Sequence, residues 1–374
     1  MKLRKLAIVA VGASMTLALA ACSGSPSSSP STSANTDNTG ALIGISMPTT
    51  TLERWNNDGA HLVDQLKGMG YNTDLEFADN KPDEQISQIQ NMINNNAKVL
   101  VIAAIDGTVL GPVLQTAADA GIKVIAYDRL INGTPNVDYY ATFDNYKVGT
   151  LQGQFIETQL GLKDGKGPFN LEPFAGSPDD NNAKFFFAGA WDVLLPYIQK
   201  GQLVVPSGKS PANDDAWQSI GIQTWATATA QSEMQNRLNS FYSGGQKVDV
   251  VLSPNDSLAL GIEQALQGAG YTVGTDWPII TGQDGDLANV KNMLAGMQSM
   301  TVWKDTRQLG DEVSKMVDQI LTGKTVDTND TTTYNNGVKT VPSYLLTPQV
   351  VTKDTVEQYL VGSGFYTKTQ LGMS

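Results

Sequence analysis

Residues 123–133 read KVIAYDRLING. Four apolar positions in a row suit a strand buried on both faces, and the run stops at an aspartate and an arginine side by side. Before it, TVLGPVLQTAADAG (108–121) puts Leu110, Val113, Leu114, Ala117 and Ala118 on one helical face, with Gly121 as the stop. Further upstream lie strand candidates ALIGISM (41–47), TDLEFA (73–78) and KVLVIAAI (98–105). Between the last two, PDEQISQIQNMINN (82–95) opens on Pro82 with acids in its first turn, then places Ile86, Ile89 and Ile93 at helical spacing. Strands alternating with helices, the strands nearly continuous in apolar residues, predict a parallel sheet covered on both faces. This first doubly wound unit ends near Asn145.

The pattern then starts again. YKVGTLQGQFIETQLG (146–161) reads as a helix, PFNLEPF (168–174) as a strand and NAKFFFAGAWDVLLPYIQ (182–199) as a long helix. DVVLS (249–253) precedes the helical DSLALGIEQALQGAG (256–270), and WPIIT (277–281) precedes LANVKNMLAG (287–296). The strand and helix in MTVWKDTRQLGDEVSKMVDQILTG (300–323) return the chain to the first unit. Two domains also fit a length of 374 residues. The expected division is one lobe of 41–146 with about 305–334, and a second of 147–304 with about 335–374.

In open parallel sheets, ligands sit beyond the carboxyl ends of the strands. KVIAY ends in Asp128 and Arg129, DVVLSP in Asn255 and Asp256, WPIITGQ in Asp284, and MTVW in Lys304 and Asp305. The loop after the first strand carries LERW (52–55), with Arg54 and Trp55. Trp225, in QTWATATA, belongs either with this set or in the core. Asp256 is the weaker candidate, with capping of the following helix as its other role. Carboxylates accept from hydroxyls, while Arg and Lys donate to them. Indoles cover C–H faces and exclude water. The set suits a neutral monosaccharide buried between two closing domains.

Other chemistries find less support. His61 is the sole histidine and falls on the helix predicted after LERW, so hydrolytic triads lack a plausible base. No GxGxxG follows the first strand and there is no Walker A sequence. QDGD lacks the remaining spacing of a calcium loop, so neither metal nor cofactor is expected. Nothing fixes two aspartates at glycosidase separation. A net charge of −12 argues against nucleic acid and against a basic membrane patch. A sugar-responsive repressor would need a DNA-binding helix pair at the N-terminus, where this chain has something else.

That N-terminus has Lys2, Arg4 and Lys5, then an uncharged apolar run through Ala20, too short for a confident membrane span. It ends in LALAAC (17–22), at the only cysteine of the chain. Residues 1–21 thus read as a signal peptide. The small residues before Cys22 resemble a bacterial lipobox, which implies cleavage there and lipidation of the thiol. With one cysteine there is no internal disulfide. SGSPSSSPSTSANTDNTG (23–40) cannot bury enough surface to order itself, so 22–40 is expected to be a tether.

From about Leu42 to the C-terminus the chain resembles the type I periplasmic sugar-binding proteins of ABC transporters, on the branch that includes multiple-sugar and xylose receptors. LERW, VLVIAAIDG, KVIAYDRLI, YYATFDN, GSPDDNNAKFF, ITGQDGDL, MTVWKDTR and NNGVKTVPSYLLTP carry the likeness, in that order along the chain. The resemblance implies two lobes joined by three crossings, closing on a pentose or hexose. It implies sugar contacts from Arg54, Trp55, Asp128, Arg129, Asp180, Asn182, Trp225, Asn255, Asp284 and Lys304. Trp225 is the least supported, because residues 207–224 depart from the family pattern. Also implied are a monomeric, lipid-anchored extracytoplasmic receptor, an ABC permease with its ATPase subunit, and in some relatives a membrane sensor.

Overall fold

The computed structural model describes residues 38–374. The segment expected to be a signal peptide, Cys22 and the expected tether up to residue 37 lie outside the described residues. The body takes hold of the chain slightly before Ala41. The Asn38 side chain donates to the Leu321 carbonyl, and Gly40 N–H donates to Gly70 O at 2.8 Å.

Strands β1 (Leu42–Met47), β2 (Asn72–Phe77), β3 (Val99–Ile102), β4 (Lys123–Tyr127) and β5 (Tyr139–Phe143) alternate with helices α1 (Glu53–Gly68), α2 (Pro82–Asn94) and α3 (Gly111–Asp119). Period-two alternation gives the central strands β3 and β4 two apolar faces, while the edge strand β2 has one, carrying Leu75 and Phe77. On β3 and β4, Leu100, Ile102, Val124 and Ala126 pack with α2 and α3, while Val99, Val101, Ile125 and Tyr127 pack with α1. Strand β5 was not recognised in the sequence, since YYATF lies so close behind β4 that it reads as loop. It pairs with β4 in parallel.

The chain then crosses into the second lobe. There α4 (Asn145–Leu160), β6 (Phe169–Pro173), α5 (Asn181–Gln199), β7 (Leu203–Val204), α6 (Thr227–Phe241), β8 (Val250–Leu252), α7 (Asp256–Gly268) and β9 (Ile279–Ile280) follow. They build a parallel sheet of order β7-β6-β8-β9 around a large apolar cluster. Next come β10 (Gln283–Asp284), α8 (Leu287–Leu294) and β11 (Met300–Trp303). The predicted single strand at WPIITGQD is broken into β9 and β10 around Thr281 and Gly282. Helix α9 (Thr306–Leu321) returns to the first lobe, where Leu309, Val313 and Met316 pack with α1 on the sheet face opposite α2 and α3.

Two expectations about the C-terminal segment need correction. Assigning residues from about 335 onward to the second lobe fails for β12 (Ser343–Leu346), which pairs in parallel with β5. The first sheet is therefore six-stranded, in order β12-β5-β4-β3-β1-β2. The chain crosses for the last time between Leu346 and β13 (Gln349–Thr352). The second lobe is also not wholly parallel, because β13 pairs antiparallel with β11. The carboxyl ends of β12 and β11 both face the gap between the lobes, so a chain that crosses it in two residues enters the second lobe running opposite to β11. Val356, Leu360, Tyr366 and Leu371, the last in α10 (Lys368–Leu371), then close over α8.

Candidate functional site

The carboxyl ends of both sheets face one cleft, so the strand-end residues converge. Arg54 and Trp55 sit in the first turn of α1, where the chain leaves β1 through Leu52. Arg54 reaches in three directions. Its Nη2 donates to Asp58 Oδ2 and Asp128 Oδ2, each at 2.9 Å, and Nη1 lies 3.5 Å from Asp284 Oδ1 of the other lobe. Its guanidinium also lies 4.3 Å from the Trp55 ring centre, with that of Arg129 at 5.1 Å from the same ring.

Asp128 and Arg129 follow the last residue of β4. Asp128 has φ of 59°, a left-handed conformation uncommon for a residue with a side chain. Its carbonyl accepts from Tyr140 Oη at 2.7 Å and Thr142 Oγ1 at 2.9 Å. It also accepts from Asn182 Nδ2, across the cleft, at 2.7 Å. Arg129 pairs with Asp180, Nε to Oδ2 at 2.9 Å. Asp180 caps α5 through Asn182 N and accepts from the Trp225 indole N–H at 3.2 Å. Trp225 thus lines the cavity and also packs in the core cluster of the second lobe. Among the seven described non-glycine residues with positive φ, three line the cavity: Asp128, Trp225 and Asp284. Such strain clusters where surrounding contacts over-determine a functional conformation.

From the second lobe, Lys304 follows β11 and is 2 % exposed. Its Nζ lies 2.9 Å from Asp284 Oδ1 and 3.9 Å from Asp128 Oδ2. Asn255 lines the cavity while its Oδ1 caps α7 by accepting from Leu258 N. Asp256 is therefore not the cap that the sequence suggested, nor does it line the cavity. All ten expected contact residues line one cavity between the lobes. Leu52, Phe186 and Gln283 line it too and were missed. Phe186 reads from sequence as one more core position of α5, and only its place one turn past Asn182 hints otherwise.

The ionic wall is balanced. Arg54, Arg129 and Lys304 face Asp128, Asp180 and Asp284, three cations against three anions. Burial alone would push the Asp128 carboxyl up, yet Arg54, Lys304 and Arg129 together hold it below the usual range. Burial does prevail at Asp180, which is pushed up despite Arg129. Behind the wall, burial raises Asp58 to about 6 even with Arg54 beside it. Trp55 Nε1, a donor, and Gln283 Oε1, an acceptor, are buried without a hydrogen-bond partner among the described residues. A charge-neutral wall with donors, acceptors and indoles can bind a compact uncharged polyol. It would leave an ionic ligand with an uncompensated charge.

Residues 43–325 match the sequence profile of the periplasmic binding protein domain, and the chain belongs to the type I periplasmic sugar-binding protein family. It is 54 % identical to the multiple sugar-binding periplasmic receptor ChvE of Rhizobium radiobacter, over 88 % of this chain and 92 % of that one. Identity to the D-xylose-binding periplasmic protein of Escherichia coli is 36 %, over 88 % and 92 % respectively. Among solved structures, an ABC transporter solute-binding protein from Clostridium phytofermentans with bound β-D-glucose is 52 % identical. It superposes with a TM-score of 0.84, covering 88 % of this chain and 99 % of that one.

Proposed function

We propose that this protein is the extracytoplasmic receptor of a monosaccharide ABC importer, not an enzyme. It traps a pentose or hexose between its lobes and offers the closed form to a permease and its ATPase partner. The observation that carries this reading is the balanced ionic wall with two indoles, lining one buried cleft between the lobes. The related receptor and the glucose-bound structure support the same ligand class. Sugar hydroxyls would exchange water for Asp128, Asp180 and Asp284 as acceptors, and for Arg54, Arg129, Lys304 and Asn255 as donors. Trp55 and Trp225 would cover C–H faces. The ten residues named from sequence are proposed as the contact set.

The reading is tested by thermal denaturation with D-glucose, D-xylose, D-galactose, L-arabinose and D-fructose. A ligand a hundredfold above its Kd adds roughly 2.7 kcal/mol of apparent stability. At least one sugar should raise Tm, without turnover of that sugar. No shift with any of the five, and no heat in calorimetric titration, would reject it. We also propose that Cys22 is lipidated and tethers the body to the membrane through residues 23–37. Cys22→Ser should then move the protein into the aqueous phase of a detergent separation, and identical partitioning of both forms would exclude the anchor.

A further inference from the structure

Asp256 is a buried carboxylate without a cation. It is 0 % exposed, and no Lys, Arg or His among the described residues pairs with it. Instead four donors converge on it from two segments. Oδ2 accepts from the backbone N–H groups of Gly285 and Asp286, both at 2.9 Å. Oδ1 accepts from Gln298 Nε2 at 2.7 Å, and the Thr301 hydroxyl lies 3.1 Å from both oxygens. Isolated charges are costly to bury, so an ionised group here has to be matched by its hydrogen bonds. The backbone gives way to admit it. A side chain at Gly282 would bring its Cβ within 2.1 Å of Asp256 Oδ1, and it is at Gly282 that the strand splits into β9 and β10.

The two backbone donors belong to the residues that directly follow Asp284, whose own φ is 100°. That conformation is essentially a glycine one and persists only under external constraint. It aims the Asp284 carboxylate at Lys304, 2.9 Å away, and at Arg54 of the opposite lobe. We propose that Asp256 is a positioning residue for the sugar site: by gathering the N–H groups of Gly285 and Asp286, it holds Asp284 in its cavity-facing conformation. Asp256 touches no ligand itself and acts through Asp284. The proposal rests on the sugar-receptor reading above and assigns that site a residue outside its contact wall.

The test is calorimetric titration with D-glucose and D-xylose, using whichever the wild type binds more tightly. Asp256→Asn replaces one accepting oxygen with an N–H donor, which then opposes either the backbone N–H groups or Gln298 Nε2, and should raise Kd about ten- to hundredfold. Combined with Asp284→Asn it should lose less than the product of the two single losses, because both act on one carboxylate. Combined with Asp180→Asn, at the other end of the cavity, the losses should multiply. A merely structural role predicts multiplication in both pairs, and that result, or an unchanged Kd in Asp256→Asn, overturns the proposal. If Asp256→Asn does not fold, Thr301→Val removes one donor to Asp256 and, with it, the second acceptor of the Gly285 N–H. It should weaken binding several-fold with the same coupling to Asp284→Asn, and an unchanged Kd would again overturn the proposal. A wild type that binds neither sugar defeats the sugar-receptor reading itself, which separates the two failures.

Discussion

Asp128 is held from three sides, its carboxylate by Arg54 and its carbonyl by groups from both lobes. Such a residue has little freedom to lose when a sugar binds, which favours affinity. Truncating one partner of a buried charged hydrogen bond typically costs ~2–5 kcal/mol of binding, or roughly 30-fold to several thousand-fold in Kd. Asp128→Ala and Arg129→Ala should each lose affinity on that scale in calorimetric titration. Near-wild-type Kd in both would make the pair structural. Glu263, on α7, is a different kind of buried acid. Its Oε1 has no hydrogen-bond partner among the described residues, and Asn292 is the single donor to Oε2. Burial pushes its carboxyl up to about 8, so between pH 4.5 and about 8 the folded state binds more protons there than the unfolded state. Stability from this group is complete below about 4.5 and falls as pH rises toward 8. Glu263→Gln should therefore stabilise the protein at pH 8, by a few kcal/mol at most, with a gain in denaturation midpoint that fades toward pH 5. A gain that does not depend on pH would contradict this. At the strand ends the sequence was readable, because polar and charged groups recur there after one apolar run after another, where a single pair would pass for a surface ion pair. Phe186 and Leu52 were not, since an apolar wall residue looks like any core residue. Asp256 could be noticed but not understood, as its partners lie 29 to 45 residues further along the chain.

Helices α4 and α5 show why some elements tolerate no enlargement. They cross so closely that a Cβ on Gly149 would sit 1.8 Å from the Phe186 carbonyl oxygen, a backbone atom that no rotamer change can move. Gly149→Ala should force the helices apart and destabilise the protein by ~3 kcal/mol or more, past the 1–3 typical of overpacking. A chemical denaturation midpoint equal to that of wild type would show that α4 shifts at no cost. Because α5 begins at Asp180 and carries Asn182 and Phe186, the same substitution should also weaken sugar binding. The helices themselves were legible from their periodicity, and so were the long strands. β5, β12 and β13 were not. Each is four or five residues long, and the pairing that makes it a strand comes from a partner remote in sequence or from a short turn.

At the scale of the molecule, the lobes meet across the cleft. Asn182 to the Asp128 carbonyl, Arg129 to Asp180 and Arg54 to Asp284 all join one lobe to the other. At the rim, Glu53 of α1 accepts from Leu287 N at the start of α8, at 3.3 Å. These contacts exist only while the lobes are together, so a sugar that engages both walls should shift the population toward this arrangement. Small-angle scattering should show a smaller radius of gyration with the sugar than without it. An unchanged radius would argue against closure.

The place of β12 has a consequence for how the chain is made. The first lobe's sheet ends in a strand that leaves the ribosome two hundred residues after β5, the strand it pairs with. At ~5–20 residues per second, that interval is roughly 10–40 s. Through all of it Tyr139–Phe143 presents an unpaired edge, and α9, which covers one face of the same sheet, is also missing for most of it. The lobe that begins first is therefore finished nearly last. Neither lobe can be complete until nearly all of the chain is made, as a consequence of chain order.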